Sequence, residues 1–273
     1  MPNWVSNRLT IEGENAEKIM QELMTKDEES GELALDFNKI IPMPKSLQLS
    51  KGNVTNMCVS LYLTAINPSI YHYGHAKDKA FIQRFIGILE KIKKHCDSPP
   101  SFNLSKEKIK QYEKLVFSTT DENDKLFTRK TAIAHGKLAI NNVLKYGHMD
   151  WYDWSIANWG TKWNAVRTSI DGAEVCFDTA WSDVSRLIYK LSKKYPDNTF
   201  HYSFAEEQAG YYTGEFSYTN GHEEGDYFPE YSKEAYELYF DFWGNDDLFN
   251  YNEETGNYDH IDDKNNVDDE AEM

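Results

Sequence analysis

The sequence predicts an α+β protein: an antiparallel sheet with helices on one face, a helical insertion, and an acidic C-terminal tail. Three observations predict it. Alternating apolar and polar runs near both ends of the 273-residue chain bracket helical stripes, in the order strand, helix, strand, strand, helix, strand. Residues 50–147 are helix-rich and differ in texture from both flanks. Carboxylates crowd the end: eleven acids against the single base Lys264 leave residues 245–273 at −10 of a total −16.

Taken in order, Trp4, Asn7, Leu9 and Ile11 stand among polar neighbours in residues 3–12, a strand that Gly13 ends. Residues 15–25 place Ala16, Ile19, Met20, Leu23 and Met24 on one helical face. The stretch 35–44 is extended and closed by Pro42 and Pro44, which exclude a long helix there. Within 50–147, helical spacing predicts helices over 79–94, 105–117 and 128–145, the last stopped by Gly147. Asp150 caps a short helix bearing Trp151 and Trp154. Two strand-like runs joined by Asp171-Gly172 predict a hairpin with positive φ at both central residues. Ser182 caps the next helix, with Val184, Leu187, Ile188 and Leu191 inward and Lys190, Lys193 and Lys194 at its C-terminal end, until Pro196. Residues 199–205 and 211–219 alternate as strands, and 231–243 form a last amphipathic helix. With the insertion removed, this order is that of a ferredoxin-like sandwich. The expected organisation is therefore 1–49 with 148–244 as the ferredoxin-like domain, 50–147 as a helical insertion, and 245–273 as a flexible tail.

Three strings resemble a known family: Pro2 to Ile11 (PNWVSNRLTI), Asp36 to Pro44 (DFNKIIPMP), and Trp154 to Ala165 (WSIANWGTKWNA) continued by Phe177 to Ser182 (FDTAWS). Together they are similar to the YubB-like ferredoxin-like domain family, uncharacterised proteins carried by bacteriophages, plasmids and integrated elements. The resemblance covers about 1–48 and 150–220 and implies a fold and a mobile-element origin. It implies no catalytic residue. Val5 stands where a small residue or Cys is expected, which counts against a metal or redox role there.

The charge limits the partners. A net −16 disfavours direct nucleic-acid binding, which rests on Lys and Arg clusters. No apolar run approaches a membrane span, no secretory signal opens the chain, and the isolated Cys58, Cys96 and Cys176 suit a reducing compartment, so a cytoplasm is expected, which the resemblance implies is that of a bacterial host. The acids and tyrosines after residue 205 interleave in a way that suits a basic partner. Glu206, Glu207, Tyr211, Tyr212, Glu215, Glu223, Glu224, Asp226, Tyr227 and Glu230 are the expected partner-binding residues. The alternative for that stretch is an ordinary acidic surface with half-buried tyrosines.

No catalytic residue, metal or cofactor is assigned. His72 and His75 with Asp78 have zinc-like spacing but no evident third ligand, and His148 with Asp150 stands on a loop without a nucleophile motif. Five of the seven tryptophans fall between 151 and 181. They read as a core corner, with Lys162 laid over Trp159 and Trp163; a stacking platform is the other reading. The expected function is a binding protein of a mobile element that inhibits a host defence protein, for example of the CRISPR type, by occupying a basic surface. The alternatives are a nucleic-acid-binding accessory protein, and an enzyme with a site among His72, His75, His135, His148 and Asp150.

Overall fold

The structure, a computed structural model, describes residues 3–26, 31, 33–49, 52–67, 79–93, 100–121 and 123–261. It divides into two compact units, residues 1–42 with 156–273, and residues 43–155.

The first unit is built on a six-stranded sheet of order β4-β5-β1-β6-β7-β8. Its strands are β1 (Trp4–Glu12), β4 (Val166–Asp171), β5 (Glu174–Ala180), β6 (Thr199–Glu206), β7 (Thr213–Thr219) and β8 (His222–Tyr227). Every neighbouring pair is antiparallel. Helix α1 (Ala16–Leu23) follows β1, and α7 (Ser185–Lys194) joins β5 to β6. Strands β4, β5, β1 and β6 thus form the ferredoxin-like split βαβ pair, and β7 and β8 extend its edge. Period-2 alternation decides which side chains face the helices. Val5, Asn7, Leu9 and Ile11 of β1 are buried beside Phe200, Tyr202 and Phe204 of β6 and Phe177 of β5, under Ile19, Met20 and Leu23 of α1 and Leu187, Ile188 and Leu191 of α7.

One hairpin turn differs from the sequence expectation, and a second was not expected. The β4–β5 loop is Gly172-Ala173, since Asp171 pairs with Glu174, and of these two only Gly172 has positive φ (57°). Gly at the first central position is what a turn with a single positive φ requires. The β7–β8 loop is Asn220-Gly221, with φ 50° and 72°, so the turn needing two positive φ values lies here and creates the unexpected strand β8. The cap of α7 also moves. The Asp183 carboxylate accepts from Ser185 N (2.7 Å), whereas the Ser182 carbonyl accepts from Thr179 Oγ1 (2.7 Å).

After β8, helix α8 (Lys233–Trp243) is capped by Ser232, which accepts from Ala235 N (3.2 Å). Residues expected as loose tail are ordered next. A 3-10 turn over Asp246–Leu248 leads into a hairpin of β9 (Phe249–Asn252) and β10 (Asn257–His260). The cause is aromatic. Phe249 and Tyr258 lie 5.4 Å and 5.6 Å from Tyr236, and 5.4 Å and 5.1 Å from Phe240, both on α8. Residues 262–273, the acidic end, lie outside the described residues.

The second unit is helical: α2 (Asn53–Ile66), α3 (Lys79–Lys93), α4 (Lys106–Val116) and α5 (Arg129–Tyr146). Helix α5 ends on Gly147 at φ 78°, and the Thr128 hydroxyl caps its start by accepting from Thr131 N. Its core joins Val59 and Leu63 of α2 to Phe85 and Ile92 of α3 and to Ala139, Ile140 and Val143 of α5. Helix α6 (Trp151–Trp159) follows, and Asp150 accepts from Tyr152 N (3.0 Å), the expected cap.

Two of the strings that carry the family resemblance meet around Asp36. A short antiparallel pair, β2 (Met24–Lys26) and β3 (Leu33–Leu35), leads into it. Its Oδ1 accepts from Asn38 N, Asn38 Nδ2 and Asn164 Nδ2, each at 2.9 Å, and its Oδ2 accepts from Thr25 Oγ1 at 3.1 Å. Asn164 Oδ1 in turn accepts from Phe37 N (2.8 Å), and Trp159 Nε1 donates to Ile41 O (2.9 Å). Burial raises the Asp36 pKa, but these four donors outweigh it and hold the carboxyl below its ordinary value. A depressed folded pKa stabilises fully above the unfolded value of about 3.9 and is lost as pH falls through the folded one. Asp36→Ala is expected to lose about 1–2 kcal/mol at neutral pH. Asp36→Asn is expected to flatten the decline in stability below about pH 4. Urea midpoints at pH 7 and pH 3 check both; equal acid sensitivity in wild type and Asp36→Asn would contradict this role.

Candidate functional site

The second face of the sheet, opposite α1 and α7, is where charge collects. Register places Glu12 (β1), Asp171 (β4), Glu174 (β5), Glu215 (β7), and Glu224 and Asp226 (β8) on it. All six are exposed except the half-buried Glu174. From β4 to β8 the face spans about 24 Å, five strand spacings of about 4.8 Å. Lys and Arg are almost absent from these six strands. Only Arg8 and Arg167 occur, and each is bonded to an aspartate. Arg8 Nη1 donates to Asp241 Oδ2 (2.7 Å) on α8 while its guanidinium lies 4.8 Å over the Phe242 ring, and Arg167 pairs with Asp178. Lysines lie instead on α7, on the helix layer, at Lys190, Lys193 and Lys194. The two layers of this unit therefore differ in sign.

Helix α8 occupies one end of the same face. Trp243 Nε1 donates to Ala205 O (3.1 Å), and Ala205 and Thr213 are buried there. Away from α8 three polar side chains bridge β1, β6 and β7. His201 contacts Glu12 Oε2 through Nε2 (3.0 Å) and Ser217 Oγ through Nδ1 (2.8 Å). The order carboxylate, imidazole, hydroxyl is that of a nucleophilic triad. It sits on a flat strand surface where β6 is paired on both sides, so backbone N–H groups are not offered to an oxyanion. Its chemistry is cross-strand bonding.

The structure disperses the residues expected to bind a partner. Glu215, Glu224 and Asp226 lie on the anionic face. Glu223 projects to the other side, opposite Tyr218. Glu206 is buried and is a correction: it closes the loop after β6, accepting from Asn3 Nδ2 (2.6 Å) and Gln208 N (2.8 Å). Tyr212 and Tyr227 lie at the helix-side edge, where both hydroxyls donate to the buried Asp183 carboxylate, Tyr227 at 3.4 Å and with its ring still exposed. Burial first, then the Asp183 charge, raises the Tyr212 pKa. Glu207, Tyr211 and Glu230 are exposed on loops. Sequence reading missed Glu12, Asp171 and Glu174. The signal was present in strand period 2, and it becomes a shared face only when β1 is placed beside β5.

Of the other candidates, His72, His75 and Asp78 lie outside the described residues. His135 is buried in the helical unit against Thr55 Oγ1 (2.8 Å) and the Phe127 ring. Among the described residues no group of three or more His, Cys, Asp or Glu is placed to hold a metal ion. No described helix is long and apolar enough to cross a membrane.

Topology and the two-signed layers define the first unit as a ferredoxin-like domain with an added edge hairpin and an anionic open face. More particularly, residues 158–244 match the family model of the ferredoxin-like domain in Api92-like protein. The match leaves out β1, the strand that lies between β5 and β6 in this sheet. A solved structure similar to this chain is that of a protein api92 from Yersinia pseudotuberculosis, 13% identical, with 84% of this chain and 99% of that chain covered and a TM-score of 0.36. No curated protein matches the chain.

Proposed function

We propose that the chain is a binding protein of a phage or other mobile element that acts without turnover, inhibiting a host defence protein by occupying a basic surface. In this reading its carboxylates stand in for nucleic-acid phosphates, and it works in the bacterial cytoplasm. One observation carries it: six carboxylates share the open sheet face with a seventh, Asp178, which neutralises Arg167 as Asp241 neutralises Arg8. Such a field steers a positively charged partner and discriminates against acidic ones. The resemblance to YubB-like phage and plasmid proteins supports the mobile-element origin, and through it the host target. Edge protection is a second service of the same residues. His222, Glu223, Glu224 and Asp226 make β8 a charged outer strand that resists pairing with another sheet.

Complexes captured from a bacterial lysate test the proposal. Charge complementarity is screened over about 8–10 Å at physiological ionic strength, so a specific partner is expected to be released as salt rises toward molar. A partner retained equally at low and high salt would contradict the electrostatic mechanism.

A further inference from the structure

We propose that Trp4, Trp163 and Trp181, with Lys162 and Arg167, form a stacking site for a short single-stranded nucleic-acid segment of about two or three nucleotides. The site shares the sheet face of the carboxylates used above but lies at the Trp4 end of β1, whereas Glu12, Asp171 and Glu174 lie at the other end, and it stands or falls without that reading.

The rings form a ladder. Trp163 lies 6.5 Å from Trp181 at 23° between planes, and Trp4 lies 6.2 Å from Trp163 at 35°. Trp163 and Trp181 remain 37% and 45% exposed, unlike Trp154 and Trp159, which are buried in or at the end of α6. The corner expected to be core is therefore split: Trp159 is core, and Trp163 is surface. Exposed tryptophans placed together mark an interaction surface more often than scattered ones.

Cations accompany the rings. Lys162 Nζ lies 4.1 Å from the Trp163 centroid and 4.9 Å from that of Trp181, and the Arg167 guanidinium lies 4.5 Å over Trp4. In a chain of net charge −16 this is a local exception. Backbone geometry adds an independent observation. Trp181 and Arg167 hold φ of 70° and 50°, a left-handed conformation that large side chains rarely adopt and that costs about 1–2 kcal/mol per residue. Trp181 N donates to Asn3 O (2.9 Å) and Arg167 pairs with Asp178, so both strained residues are tied down. Burial does not call for this strain at Trp181, because its ring is exposed.

Position identifies the ligand class. Trp4 opens β1, and Trp181 directly follows Ala180, its register partner at the end of β5. These are the two middle strands of the four-stranded ferredoxin-like core, and the rings stand on the face opposite α1 and α7. RNA-recognition modules stack two or three bases on that face. A cationic ligand would meet Lys162 as a like charge. A chain of flat bases joined by phosphates meets the rings and the Lys162 ammonium together. The surrounding acids repel a longer strand, which limits the site to a short one and reconciles it with the unfavourable overall charge.

Tryptophan fluorescence of the full chain tests the site, with four-nucleotide deoxythymidylate and deoxyadenylate oligomers as probes and a proline-rich decapeptide as the competing occupant. Both oligomers are expected to quench at low salt. Asp178 already neutralises Arg167, so one phosphate contact, at Lys162, gives a slope of log affinity against log salt of about −0.7. Lys162→Gln is expected to remove most of that slope. Trp181→Ala and Trp163→Ala are expected to weaken binding about 5- to 150-fold, the range for loss of one stacked base, while Trp181→Phe keeps most of it. Far-UV circular dichroism confirms that the variants fold, and Trp181→Gly, which suits the positive φ, serves if the alanine variant does not. No quenching by either oligomer at millimolar concentration would overturn the proposal, as would quenching by the decapeptide alone. Substituting Glu174 and Glu224 is expected to leave oligomer binding intact or strengthened.

Discussion

Gly136→Ala is expected to destabilise the helical unit by about 3 kcal/mol or more. A Cβ there would stand 2.2 Å from Cys58 O, 2.5 Å from Cys58 C and 2.8 Å from Val59 N, all backbone atoms of α2. A side chain can rotate away from such an intrusion, but a helical backbone cannot. Helices α2 and α5 would have to separate, opening the packing of Val59 and Leu63 against Ala139 and Ile140. Alanine is intrinsically the better helix residue by about 1 kcal/mol, so the close approach must outweigh that gain. Ala132 and Ala139 lie on the same stripe, one turn to either side, and are fully buried, so the surface of α5 is cut low where α2 crosses. Thermal unfolding followed by far-UV circular dichroism measures the effect. A Gly136→Ala protein as stable as wild type would mean that the helices are not in this register.

Phe204→Ala is the second large effect, expected at about 3–5 kcal/mol. Phe204 is fully buried on β6. Its ring lies 5.8 Å from Tyr202, 5.1 Å from Tyr212, 6.4 Å from Phe216 and 5.7 Å from Tyr227. Removing it leaves a cavity at the centre of the cluster that fastens the edge strands to the rest of the sheet. It also loosens Tyr212 and Tyr227, whose hydroxyls satisfy the buried Asp183 carboxylate. Urea unfolding provides the value, and a cost below 1 kcal/mol would contradict this packing.

Much of the fold was legible in the sequence for identifiable reasons. Strand β1 alternates cleanly because one face is buried and the other is not. Helix α7 showed its stripe because Leu187, Ile188 and Leu191 point into the core and its lysines do not. Helix α2 was not legible. It is apolar around most of its circumference, with Cys58, Val59, Ser60 and Leu61 buried in succession, so it lacks the 3.6-residue contrast that periodicity detects. In α5, attention to large side chains passed over Gly136, although Leu144 is exposed and Gly136 is the closest contact. Strand β8 had a signal that went unused, Asn220-Gly221, the dipeptide its turn requires. The hairpin of 249–260 was hidden by composition. Its acids suggest disorder, yet Phe249 of β9 and Tyr258 of β10 meet Tyr236 and Phe240.

The candidate site was only partly legible, and the reason is register. Carboxylates close in sequence, such as Glu223 and Glu224, leave the sheet on opposite faces. Those that share a face, such as Glu12, Glu174 and Glu224, are far apart in the chain. Sequence proximity therefore selected Glu206, which is buried, and passed over Glu174, which is not. The tryptophan ladder was divided in the same way, since Trp4 and Trp181 come to Trp163 from strands that only the β1–β5 pairing brings together.

The central claim is that the open sheet face, through its charge, holds a basic partner. The most direct measurement compares capture of a salt-sensitive lysate partner by wild type, by Glu174→Lys with Glu224→Lys, and by Lys190→Glu with Lys193→Glu on the helix layer. Reversing the sheet-face acids is expected to weaken capture at least tenfold at physiological salt, and reversing the helix-layer lysines is expected to leave it unchanged or stronger. Capture undiminished by Glu174→Lys with Glu224→Lys in a folded protein would contradict the claim.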